Sequence, residues 1–278
     1  MNAASLFVVA TPIGNLEDVT LRALRVLKEA ALIAAEDTRT TKKLLDRHEI
    51  ATTCVSLHEH STPDRVRELV EKLKGGASVA MVSEAGTPGI SDPGHALLAA
   101  AIKAGVPIVP VPGPVAFVAA LSASGLPMER AAFEGFLPAK PTERRDRLRQ
   151  IVRETRTLAF YEAPHRVAES LRDMAALLGP HRRACVAREM TKVHEEFERG
   201  TLGELALAWE TREPKGEFTI LVEGAPAAAR EVTDSEILEA LRIALNRGLS
   251  ASSAAKEVAE ALGAPKNRVY PFAVMLAQ

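Results

Sequence analysis

The sequence predicts an α/β protein: two α/β domains followed by a small helical appendage. Three observations lead there. Through the first half of the chain, short apolar runs alternate with segments of helical period, the pattern of a mostly parallel sheet covered on both faces. Near residues 136–156 a proline pair and an arginine-dense run interrupt that rhythm, and a second α/β set follows. From about Thr233 the chain becomes alanine-rich and helical in period.

The elements follow in order. LFVVA (6–10) reads as the first strand and LRALRVLKEA (21–30) as the first helix, its leucines and Val26 three and four residues apart. LIAA (32–35), TCVSL (53–57), SVAMV (78–82) and PIVPV (107–111) are further strands. Between them lie the helices TTKKLLDRH (40–48), DRVRELVEKLKGG (64–76) and HALLAAAIKAG (95–105). FLPAKPTERRDRLRQIVRETR (136–156) reads as a linker leading into a basic helix. TLAFYEA (157–163), RACVARE (183–189) and EFTILVEG (217–224) are the strands of the second set, with a more antiparallel look. RVAESLRDMAALLG and LGELALAWE are its helices. After the hinge GAPAAAREV come two helices, with Asp234 and Ser250 or Ser252 placed as N-caps. A helix-turn-helix is open there, although two alanine-rich helices in series also suit plain packing. The expected domains are 1–120, 121–228 and 229–278.

Composition narrows the function. Of 278 residues 47% are apolar and 26% charged, which supports a core without disulfides or metals. The net charge of −1 excludes a molecule that binds nucleic acid through its overall field, so any such surface is a local patch. Cys54 and Cys185, the only cysteines, sit in apolar runs and are expected to be buried thiols. No apolar run approaches the ~18 residues of a spanning helix, and the N-terminal run reads as a strand rather than a signal peptide. A cytosolic protein is expected.

Three strands end in loops of one character: ATPIGN, SEAGTPG and VPGPVA. Ligands of open α/β sheets lie beyond the carboxyl ends of the strands, and Gly and Pro let backbone approach a ligand through a loop held open. The second loop has neither a P-loop lysine nor a dinucleotide fingerprint. It is expected to contact a ligand through backbone groups, with Ser91 or Asp92 capping the helix that starts near Pro93. AAEDTRTTKK (34–43) sets Glu36, Asp37 and Arg39 where a strand gives way to a helix. Either Asp37 or Thr38 is a cap and Arg39 is solvated, or these charges line the ligand edge as base and phosphate clamp. LHEH (57–60) lacks a Cys/His partner pair, so no metal site is expected. The cations of the basic run, Lys140, Arg144, Arg145 and Arg147 among them, suit a polyanion or a solvated helix with internal ion pairs. AREMTKVHEEFERG (187–200) is too polar for core. It suits an exposed rim or the lip of a second-domain site, with Arg188 and Lys192 as candidate RNA contacts.

TPIGNLEDVTLRAL, AAEDTRTT, LHEH, VSEAGTPGISDPG, VPGPVAFVAALSASGLP, FEGFLPAK, FYEAPHR, AREMTKVHEEFERG and GEFTILVEG together carry a resemblance. The chain resembles the tetrapyrrole-methylase (class III) family of S-adenosylmethionine-dependent methyltransferases, in its branch acting on bacterial small-subunit ribosomal RNA. The resemblance runs to about residue 224, and the helical tail is similar to that branch's C-terminal extension. It implies S-adenosylmethionine in a cleft between two α/β domains, a homodimer, and 2′-O-methylation of a cytidine in the decoding region; the RNA is expected within the assembled small subunit, with naked RNA left open. It places Pro12 in a first cofactor loop, Ser83, Glu84, Ala85, Gly86 and Thr87 in a second, and Val115 and Ala116 after the PGP turn. Tyr161, Glu162, Ala187 and Phe218 would close over the cofactor. In this frame Glu36 or Asp37 takes the proton of a ribose hydroxyl, Arg39 holds a flanking phosphate, and the basic run tracks the RNA strand. No metal is required. The family has aspartate where this chain has Glu84; backbone contacts would make the change harmless. A tetrapyrrole C-methyltransferase and a non-catalytic RNA-binding assembly factor remain as rival readings.

Overall fold

The computed structural model describes residues 4–58, 60–92, 94–226 and 232–277. The chain divides into one unit ending at Ala225 and another beginning at Pro226.

In the first unit the chain runs β1 (Leu6–Val9), α1 (Leu21–Glu29), β2 (Leu32–Ala35), α2 (Thr38–Arg47), β3 (Cys54–Ser56), α3 (Pro63–Lys74), β4 (Val79–Val82), α4 (His95–Lys103), β5 (Ile108–Val111) and α5 (Ala116–Ser124). The strands form a parallel sheet in the order β3-β2-β4-β1-β5. Successive residues serve opposite faces, as the pleat demands. Ile33, Ala35, Ala80 and Val82 pack with Val26, Leu27, Leu44 and Leu45, whereas Leu32, Ala34, Val79 and Met81 pack with Leu69, Leu73, Leu97 and Ala101. Burial on both faces explains why β2 and β4 read as unbroken apolar runs.

There follow β6 (Ala131–Phe136), α6 (Pro141–Ile151), β7 (Thr157–Glu162), α7 (Val167–Leu178), β8 (Arg183–Arg188), β9 (Glu196–Thr201), α8 (Leu202–Glu210) and β10 (Phe218–Val222). They build a mixed sheet, β6-β7-β10-β8-β9, in which only β6 and β7 are parallel. The antiparallel look of the second set is therefore real. One face packs on Leu148, Leu171, Met174, Leu205 and Trp209 of α6–α8. On the other face Ala120 of α5 packs with Ala159, Cys185, Ala187 and Leu221. A boundary at residue 120 would cut α5, a helix whose buried contacts lie with the second sheet.

Two further expectations change. The arginine-rich run is not a linker: α6 is the crossover between the parallel strands β6 and β7. Its apolar stripe, Leu148 and Ile151, is short because most of its circumference faces solvent. Residues 196–201 are an edge strand, polar because only β8 pairs with it.

The second unit holds α9 (Asp234–Asn246), α10 (Ala251–Leu262) and α11 (Lys266–Leu276) around Ile237, Leu241, Ala255, Val258, Val269 and Ala273. Thr233, not Asp234, caps α9, in a reciprocal box with Glu236, and Ser250 caps α10. The C-terminal stretch adds a third helix to the two expected. Most of the expected hinge (227–231) and the boundary at 228/229 lie outside the described residues.

Candidate active site

The loops after β1, β4 and β5 converge, and hydrogen bonds fix their spacing. Thr11 and Gly86 exchange backbone bonds, Thr11 N–H to Gly86 O at 2.8 Å and Gly86 N–H to Thr11 O at 3.1 Å. The Thr87 hydroxyl donates to Pro114 O at 3.0 Å, joining the second loop to the third. Gly86 has φ +80°, and a Cβ there would sit 3.4 Å from Ile13 Cγ2. Glycine keeps the wall bare where the loops meet.

Facing these loops are the ends of β6, β7 and β10, and between the two walls lies a cleft of about 590 Å³. Pro12, Glu84, Ala85, Gly86, Thr87, Val115 and Ala116 line one side, and Tyr161, Glu162 and Phe218 the other, all from the set implied for the cofactor. Ser83 and Ala187 do not line it. The Ser83 hydroxyl donates to Ala85 O at 3.2 Å beneath the loop, and Ala187 is wholly buried against α5. Ala187 is thus core of the second sheet, because its alternate position on β8 points it inward. Glu162 is held by Ser170 Oγ at 2.5 Å, the Ala163 N–H at 2.9 Å and Arg166 at 2.9 Å, so it shapes the wall as a fixed group.

Carboxylates gather on the first wall. Glu36 Oε2 accepts the Glu84 N–H at 3.0 Å, tying the end of β2 to the second loop. Asp92 also lines the cleft, and burial pushes its carboxyl up to about 6, with Glu36 and Glu84 adding to the rise against a hydrogen bond from Ser83. It caps nothing: α4 begins after Gly94 without a side-chain cap, and Ser91 has φ +67°. Pro93, expected to open that helix, lies outside the described residues.

Asp37 and Arg39 stand differently. Asp37 is the N-cap of α2, its Oδ1 accepting the N–H groups of Arg39 at 2.7 Å and Thr40 at 3.3 Å while Oδ2 pairs with Arg39 at 3.2 Å. Those bonds to Arg39 hold its carboxyl below the usual range. Both oxygens of Asp37 are committed and it is outside the cleft lining, whereas Glu36, the other carboxylate expected near a hydroxyl proton, lines it. The Arg39 side chain is 90% exposed.

The expected RNA contacts divide. Arg144 is 2% exposed, its guanidinium bonded to Asp173 at 2.7 Å and to Glu169 at 3.2 Å. It is a buried structural cation, closed off from RNA. Arg145 shares Asp173 at 2.8 Å but stays half exposed, Arg147 pairs with Glu134, and Lys140 is exposed beside Glu143. Arg188 lies 3.6 Å from Glu196. Lys192 reaches the cleft between Glu189 at 2.8 Å and Glu217 at 3.1 Å. Cleft residues that sequence reasoning missed include Thr40, Asp92, Phe136, Met190 and Glu217. Their signal was weak, since Thr40 is one polar residue in the first turn of α2 and each of the others is a lone side chain in a loop or at a strand end.

The family model for Tetrapyrrole (Corrin/Porphyrin) Methylases matches residues 5–206, which covers the first wall of this cleft and the second as far as β10. The chain belongs to the tetrapyrrole methylase family. A second model, RsmI C-terminal HTH domain, matches residues 231–277, the three-helix unit. Among curated members, Ribosomal RNA small subunit methyltransferase I of Xylella fastidiosa is 49% identical, over 96% of this chain and 97% of its own length. The protein of the same name from Pseudomonas aeruginosa is 48% identical over 99% and 98%. Methyltransferases of known structure share the fold at lower identity. The methyltransferase CobJ has a TM-score of 0.61 at 24% identity, covering 80% of this chain and 95% of that one. Uroporphyrin-III C-methyl transferase from Thermus thermophilus, complexed with S-adenyl homocysteine, has 0.55 at 22%, covering 78% and 97%.

Proposed function

We propose that this protein is an S-adenosylmethionine-dependent methyltransferase of small-subunit ribosomal RNA that modifies the 2′-hydroxyl of a cytidine in the decoding region. The observation that carries this reading is full-length likeness, at 45–49% identity, to proteins named for that RNA. The cleft agrees with it. Its volume of about 590 Å³ lies within the roughly 300–1,000 Å³ usual for small-molecule sites. Loops poor in side chain offer backbone donors and acceptors there, and Glu36, Glu84 and Asp92 place negative charge where a sulfonium is to be held.

When bound, the cofactor supplies an electrophilic methyl and leaves as a neutral thioether. The loops at Pro12, Gly86 and Val115 would hold it on one wall, Tyr161 and Phe218 on the other. Glu36 is the cleft carboxylate offered for the hydroxyl proton, and Arg39 the exposed guanidinium for a flanking phosphate. Glu84 donates its backbone N–H to Glu36, so the departure from aspartate leaves that contact independent of side-chain length. The same reading makes the protein a cytosolic homodimer acting on the assembled small subunit.

Mass-spectrometric mapping of ribose methylation in rRNA from a deletion strain, with and without the restored gene, tests the proposal. An unchanged map rejects it. Label transfer from tritiated S-adenosylmethionine to small subunits, set against uroporphyrinogen, separates it from a tetrapyrrole methylase and from a non-catalytic assembly factor.

A further inference from the structure

The β6 strand carries a defect that presents an aromatic ring. Its register with β7 runs Phe133 to Ala159, then Gly135 to Phe160 and Phe136 to Tyr161, so Glu134 is an extra residue. In a regular strand Phe133 and Phe136, three apart, would point to opposite faces. The bulge puts them on one face, on either side of Tyr161, and such bulges re-aim side chains next to sites. Gly135 adopts φ +65° to make it.

The result is a row of rings. Phe117 and Phe133 are stacked at 4.6 Å, and Phe133 meets Tyr161 edge-on at 4.8 Å. Tyr161 meets Phe136 at 5.7 Å and 64°. The last ring lines the cleft, yet 53% of Phe136 remains exposed. Its orientation is already fixed by Tyr161, and among the described residues no second ring contact is made by Phe136.

We infer that Phe136 is a stacking platform for one nucleobase of the substrate RNA. This rests on the function proposed above. A planar heterocycle completes the row, and a single unstacked base laid on an aromatic ring is how proteins take hold of single-stranded RNA. Phe136 stands on the wall opposite the small-residue loops. Four residues on is the exposed ammonium of Lys140, whose partner Glu143 is a surface neighbour three residues away. Such a pair is weak enough to yield to a phosphate. Ring and ammonium together offer one base and the backbone beside it.

The test compares Phe136→Leu, which keeps apolar bulk, with Phe136→Trp, which keeps the π-face. Small subunits from a strain lacking the enzyme are the substrate, and S-adenosylhomocysteine is the calorimetric probe of the cofactor site. We expect KM for subunits to rise about tenfold in the leucine variant and to stay within about twofold in the tryptophan variant, with the probe's affinity and the melting temperature unchanged in both. Leucine performing as well as phenylalanine overturns the inference. So does a parallel loss of probe affinity, which would assign the ring to the cofactor's adenine. If the unaltered enzyme methylates no RNA, the proposed function fails and this inference with it; that control is read before any variant is compared.

Discussion

The phenolic oxygen of Tyr161, on β7, accepts the backbone N–H of Phe117 in the first turn of α5 at 3.2 Å. The Val115 N-cap of that helix makes no side-chain cap, so a residue 44 positions away satisfies a donor left open at the helix start. One hydroxyl thereby ties the third loop of the first sheet to the second sheet.

Tyr161→Phe removes only that acceptor. A part-buried N–H without a partner costs about 1–2 kcal/mol, which in a chain of this size lowers the melting temperature by roughly 2–6 °C. Val115 and Ala116 line the cleft, so S-adenosylhomocysteine affinity falls as well. A variant that melts and binds like the parent would show that the bond carries no weight.

Asp92 makes stability depend on pH in a defined direction. Its carboxyl moves from the ordinary 3.8 to about 6, so the native state holds the proton more tightly than the unfolded chain. Its contribution is full below pH 3.8 and is lost as pH rises through about 6. Asp92→Asn should melt higher than the parent above pH 6, and the gap should close as pH falls toward 3.8. Coincident melting curves at pH 8 would contradict this.

Two arginines part in their effects. Arg144→Ala leaves the buried Asp173 to Arg145 alone and costs about 1.5–3 kcal/mol, as loss of a hydrogen bond to a charged group does, visible as a lowered melting temperature before any assay of RNA. Arg39→Ala leaves melting and cofactor affinity intact and abolishes methyl transfer. Loss of cofactor affinity in the Arg39 variant would put that side chain in the wrong site.

Glu36→Gln keeps an oxygen to accept the Glu84 N–H and removes the base. Methyl transfer should fall by about 10²-fold or more while cofactor affinity holds. Glu36→Ala releases the second loop and weakens both. Equal turnover by the glutamine variant and the parent would clear Glu36 of the proton.

Much of the fold was legible because its determinants are local. Short apolar runs between segments of helical period announced β1 to β5 and α1 to α4, and Thr20, Asp37 and Thr62 stand where helices begin. What was misread depends on partners. Strand β9 is polar because it lies at an edge, and α5, cut by the expected boundary at 120, packs Ala120 against the second sheet. Of the site, the side-chain-poor loops were visible as composition. Asp92 and Phe136 were not, since a cleft carboxylate and a cap look alike in sequence, and a bulge leaves only a glycine as its trace.

The sequence by itself determined most of the element types, the glycine- and proline-rich strand ends and the family, because backbone preference and burial period are written residue by residue. Only the tertiary structure decided which charges are free. Arg144 and Arg145 are neighbours in one basic run, yet one is sealed in the core and the other half exposed. That choice is made by the helix face each occupies and by the distant Asp173 that meets it, and no local pattern encodes a partner 29 residues away.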